Sequence, residues 1–123
     1  MKTLFTSKTI NILFINENKT DLAILQASLG QSCLIINAKD ATVALEILEN
    51  TSIHTIISNE RTNNNLAQRV AILKKIKLEP QFSHIKFLAF HNADKTSHNL
   101  IKQGFDDAFI KAPIVKDFFE INC

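Results

Sequence analysis

Ile10–Ile15 reads INILFI, a run that is apolar at every position but Asn11 and rich in β-branched isoleucine. Such a run predicts a strand covered on both faces, as strands of a parallel sheet are. Just beyond it Asn18 stands as an N-cap with Asp21 at the capping-box position. Leu22, Leu25 and Leu29 then recur at helical spacing until Gly30 supplies a stop. The same alternation continues outward. Cys33–Asn37 (CLIIN) predicts a second strand, and Asp40 caps a helix with an apolar stripe at Val43, Leu45, Ile47 and Leu48. Ile53–Ser58 (IHTIIS) predicts a third strand, and the polar run Asn59–Asn65 (NERTNNN) a loop, because its side chains compete for backbone hydrogen bonds. Leu66, Val70, Leu73 and Ile76 mark a third helix closing before Pro80, and His84–Phe90 (HIKFLAF) a fourth strand. Asp94–Gln103 predicts a weaker helix with Leu100 and Ile101 as its apolar pair and Gly104 as its stop. Asp107–Lys111 (DAFIK) makes a short fifth strand, and Pro113 opens a final segment holding Phe118, Phe119 and Ile121.

Five strands alternating with five helices imply right-handed crossovers and an α/β three-layer sandwich around a parallel sheet. Sites in such sheets gather at the carboxyl ends of the strands. The residues there are Asn16 and Glu17 after the first strand, Asn59 and Glu60 after the third, Ala89–His91 at the fourth and Lys111 after the fifth.

Composition agrees with one domain spanning residues 1–123. The chain has 46% apolar and 21% charged residues, near the average for globular domains, so a folded core is expected in place of disorder. Lys+Arg number 14 against 12 Asp+Glu, too balanced for a nucleic-acid stripe. Residues 1–8 (MKTLFTSK) are too polar for a signal peptide and read as an extended N-terminal segment, and no apolar run approaches membrane-spanning length. Cys33 and Cys123 lack the short spacing of a zinc site, which fits a reduced, cytoplasmic setting.

The segments ILFINEN, HTIISNE, FLAFH and above all Gln103–Pro113 (QGFDDAFIKAP) resemble those of response-regulator receiver domains, from Ile10 to about Phe119. The resemblance implies a flavodoxin-like, doubly wound sheet of five strands in the order 2-1-3-4-5. It also implies a pocket with an acidic pair after the first strand, a phosphoaccepting Asp ending the third, a Thr or Ser ending the fourth and a Lys ending the fifth. Here those positions hold Asn16 and Glu17, Asn59, Ala89 and Lys111. Ala112 also separates Lys111 from Pro113, Thr62 and Asn63 stand where Met-Pro is common, and Ala108 replaces an aromatic.

A neutral carboxamide is not an anionic nucleophile, and phosphoryl transfer needs one together with a metal ion. With Glu17 as the one acid left of three, magnesium binding is expected to be weak or absent and no other cofactor is implied. The residues therefore predict a non-enzymatic pseudo-receiver that signals by binding a protein partner or itself. Lys111 would lock the pocket by pairing with Glu17 and bonding to the carbonyl of Asn59. The rival readings are a conventional regulator phosphorylated by a histidine kinase, against which Asn59 stands, and a small-ligand sensor using the strand-end crevice, for which no glycine-rich loop speaks.

The resemblance further implies an interaction face made by the fourth helix, fifth strand and a shortened last helix, residues 114–123. Phe105, Phe109, Phe118 and Phe119 cluster around it, as an apolar patch or as core. The remaining motifs read as ordinary surface or packing. Glu60 points away from Asn59 along a strand, and His54, His84, His91 and His98 have no ligand spacing, although His91 lies near the pocket rim. The run Asn16–Asp21 lacks the glycine and distant Glu of a calcium loop, and Lys74, Lys75 and Lys77 suit a helix C-terminus.

Overall fold

The computed structural model describes residues 10–30, 33–59, 66–91 and 105–110, of which 66–69, 91 and 107–110 are described by their backbone alone. The elements are β1 (Ile10–Ile15), α1 (Lys19–Leu29), β2 (Cys33–Ala38), α2 (Ala41–Asn50), β3 (Thr55–Asn59), α3 (Leu66–Leu78), a 3₁₀ turn (Pro80–Phe82), β4 (Lys86–His91) and β5 (Asp107–Ile110). The strands pair in parallel in the order β2-β1-β3-β4-β5, as expected. The expected helices at 94–103 and 114–123, the N-terminal segment 1–8, Lys111, Phe118 and Phe119 lie outside the described residues.

Strand alternation divides the core into two layers. Leu13, Ile15, Ala38, Ile56, Phe87 and Ala89 face α2 and α3. Ile12, Phe14, Cys33, Ile57, Leu88 and Phe90 face Leu25 and Leu29 of α1, with the Phe14 and Phe90 rings edge to face at 6.1 Å. No described helix is long and apolar enough to cross a membrane.

Several boundaries and faces differ from the sequence reading. β3 begins at Thr55, because His54 pairs with Asn11 at the mouth of the sheet through its backbone N–H and its ring Nδ1. It runs on to Asn59, so Asn59 is a buried strand residue where a loop was expected. β4 starts at Lys86 because the 3₁₀ turn after Pro80 takes up the chain up to Ile85. In α2 the buried line is Ala41, Ala44 and Leu48, small residues that let the helix approach the sheet, with Val43, Leu45 and Ile47 half-buried beside it. In α3 Ile72 and Ile76 define the inner face; Val70, two residues and about 200° earlier, faces outward and is 37% exposed.

Phe105 also departs from its expected place on an interaction face. It is buried and stacks on Phe87 with ring centroids 4.4 Å apart, so it is part of the core. Asp106 fixes this corner: its backbone N–H donates to the Phe87 carbonyl, and its Oδ2 accepts from the Phe87 N–H.

Candidate functional site

Asn16 follows β1, Asn59 ends β3, and both side chains are turned by strand alternation toward the α1 layer, where they are buried. There the first turn of α1 presents Asp21, whose carboxylate is also buried. Asn59 Nδ2 donates to Asp21 Oδ2 at 2.8 Å and to Asn16 Oδ1 at 2.6 Å.

The carboxylate fixes every amide around it. A carboxylate accepts only, so the Asn59 atom facing Asp21 is its nitrogen; that nitrogen then requires an oxygen from Asn16. Asn16 Oδ1 accepts a second bond from the Asn18 N–H at 3.0 Å, and its Nδ2 donates to the Asn18 carbonyl at 2.8 Å and to Asn37 Oδ1 at 3.1 Å. Asn37 Nδ2 returns a bond to the Asn16 carbonyl, while the Asn16 N–H donates to the Ala38 carbonyl. Every polar group of Asn16 is thereby paired, and both protons of Asn59 Nδ2 are committed.

Local helix chemistry explains how Asp21 comes to face inward. Asn18 caps α1 as expected, its Oδ1 accepting from the Asp21 N–H at 2.9 Å. In a capping box the carboxylate at this position would reach back to the cap's own N–H. Here Asn16 Oδ1 already holds that N–H, which frees the Asp21 carboxylate to turn to Asn59. Its charge lies at the positive end of the helix dipole.

The other expected site residues are placed differently. Glu17 is exposed and makes no hydrogen bond or ion pair among the described residues; its expected partner, Lys111, lies outside them. Ala89 pairs with Ser58 in the β3–β4 ladder, whereas Asn59 pairs with Phe90. Alternation therefore points the Ala89 methyl into the α2–α3 layer, and it does not line the pocket of Asn59 as the sequence register implied. The β4 residue one step beyond the partner of Asn59 is His91. Among the described residues no three His, Cys, Asp or Glu side chains gather as a metal site.

Asp21 and Asn37 were not legible as site residues. The signal for Asp21 was present as the capping-box position, but that motif assigns the carboxylate a local partner. Asn37, an exposed residue near the end of the edge strand β2, carries no motif of its own.

No family model matches the sequence, and no curated protein matches it. Solved structures do. The receiver domain of a DNA-binding response regulator from Colwellia psychrerythraea 34H superposes with a TM-score of 0.69 at 16% identity, over 92% of this chain and 97% of that one. HP1043, an orphan response regulator of H. pylori, gives 0.66 at 13% identity over 92% of each chain. The receiver domain of Ssk1 from Saccharomyces cerevisiae, solved with the histidine phosphotransfer protein Ypd1, gives 0.60 at 17% identity over 85% of this chain and 79% of that one. The chain therefore has the α/β fold of response-regulator receiver domains.

Proposed function

We propose that this chain is a non-catalytic, cytoplasmic receiver-type signalling module that works through protein–protein contacts and does not accept phosphate. The observation that carries the reading is the state of Asn59. The residue at the receiver acceptor position is a neutral carboxamide whose two N–H protons go to Asp21 and Asn16. Attack on phosphorus needs an anionic oxygen, which a carboxamide does not supply. Magnesium would need oxygen ligands, and both acceptor sites of Asn16 Oδ1 are filled by N–H donors. Asp21 gives the pocket a carboxylate, but one held by hydrogen bonding within the fold.

The receiver fold supports a binding role, since the Ssk1 receiver domain crystallises with a protein partner. A face built from the expected fourth helix, the fifth strand and the expected last helix, with Phe109, Phe118 and Phe119, is our proposed contact for a partner or a second copy. Phe105, a core residue, is not part of it.

The test is an amide NMR titration with magnesium and then beryllofluoride, alongside incubation with acetyl phosphate and intact-mass measurement. The reading expects no saturable shifts at Asn16, Glu17 or Asn59 and no added phosphoryl mass. A metal-dependent phosphoryl adduct would overturn it.

A further inference from the structure

We infer that the outer face of α3 is a docking surface for an acidic amphipathic segment of a protein partner. Leu66–Leu78 (LAQRVAILKKIKL) contains four basic residues and no acidic one, and it is apolar on more than the side that packs. Ile72 and Ile76 are buried against the sheet, yet Val70 is 37% exposed and Leu78 is 75% exposed. These are two of the three exposed large apolar side chains among the described residues; the third, Leu34, is on the far edge strand. Val70, Lys74 and Leu78 fall at i, i+4 and i+8, one row along the helix spanning about 12 Å at ~1.5 Å per residue. A helix that carries apolar residues on its outward side as well as its inward one has surface suited to a second covering.

Charge states what that covering is. Lys75 points to the flank, where Glu49 and Glu79 both pair with it and the Phe82 ring lies beneath it at 5.9 Å. Lys74 and Lys77 are exposed and have no acidic partner among the described residues. Carboxylates on a partner would meet them while its apolar side chains lie over Val70 and Leu78. Beside the row, Leu73, Ile76, Lys77, Ile85 and Phe87 line a cavity of about 320 Å³, with the Asp106 carboxylate, which accepts from the Phe87 N–H, also in its lining. A second copy of the chain fits poorly, because a two-fold contact on this row would bring two basic helix faces with no acidic residue together. An anionic membrane is also disfavoured: an interfacial helix uses a broad apolar face, and here most of that face is committed to the core.

This inference rests on the binding reading above and adds to the proposed fifth-strand face a second surface with its own partner chemistry. The experiment is a titration of ¹⁵N-labelled protein with a synthetic helical peptide bearing Leu at i, i+4 and i+8 flanked by Glu, and with the same peptide bearing Lys for Glu. Saturable shifts at Val70, Lys74, Lys77 and Leu78 with the acidic peptide, at least tenfold weaker binding by K74E/K77E and by L78S, and none with the basic peptide are expected. All three residues are solvent-facing, and an unchanged thermal melt would show that the variants fold. No saturable shift at those amides, affinity unchanged in K74E/K77E, or binding to phosphatidylserine vesicles in place of the peptide would overturn the surface. Repeating the titration with acetyl phosphate and magnesium separates the two ideas: binding that appears only then upholds the surface and overturns phosphorylation-independence.

Discussion

Asn59 at the end of β3 and Asp21 in the first turn of α1 are joined by a buried hydrogen bond of 2.8 Å in which the carboxamide donates and the carboxylate accepts. The donor and acceptor cannot trade places without changing the residues, and that polarity governs how the pocket responds to substitution.

Asn59→Asp sets a second carboxylate against Asp21 and leaves Asn16 Oδ1 facing an acceptor. Leaving a buried charge uncompensated in this way costs about 3 kcal/mol. The double variant N59D/D21N restores one donor and one acceptor with their places exchanged, and should recover more than half of the loss. Urea denaturation of the four proteins gives the cycle; equal stability of N59D and the double variant would refute the coupling.

Asn16→Ala removes four side-chain hydrogen bonds, whereas Asn18→Ala removes the helix cap. The cap is worth about 1 kcal/mol. The Asn16 variant leaves the buried Asn59 amide and the Asn18 N–H with fewer partners and should lose about 2–4 kcal/mol. Chemical denaturation should rank Asn16→Ala well below Asn18→Ala.

Phe105→Ala should lower stability by about 3–5 kcal/mol, because a stacked, buried ring leaves a cavity against Phe87. A loss of partner binding with unchanged melting would instead return Phe105 to the surface.

Lys75 is held above its usual pKa of 10.5, first by its hydrogen bond to Glu49 and then by that to Glu79. A raised lysine stabilises the fold fully below the unfolded value and ceases to do so as the pH climbs through the folded one. The contribution of this group is thus present at neutral pH and vanishes in the alkaline range above 10.5. Direct NMR titration of Nζ should show a larger downward displacement for Glu49→Gln than for Glu79→Gln.

What the residue pattern made legible follows the range of the forces involved. INILFI declares itself because a strand inside a parallel sheet needs apolar groups on both sides, and Asn18 and Asp40 because a cap bonds three residues ahead. Val70 misled because i, i+3 and i+4 spacing is shared by two adjoining helix faces, and only the position of the sheet selects between them. Ala89 was displaced by a step in register, which matching of ungapped segments does not constrain and which strand pairing does. Asp21 escaped notice because its partner, Asn59, is 38 positions away, beyond the reach of any local motif.

The order in which these partners occur along the chain bears on how the molecule assembles. All four strand pairings among the described residues are parallel, so none of them can be closed by a tight turn, and each closure waits for a crossover. β1, flanked on both sides, leaves the ribosome before either neighbour. Yet Asn16, Asp21, Asn37 and Asn59 all belong to the first 59 residues, and together they tie β2, β1 and β3 to α1. The polar lattice therefore holds three strands in register with side chains that all precede β4 and β5 in the chain, so its closure does not depend on either of them.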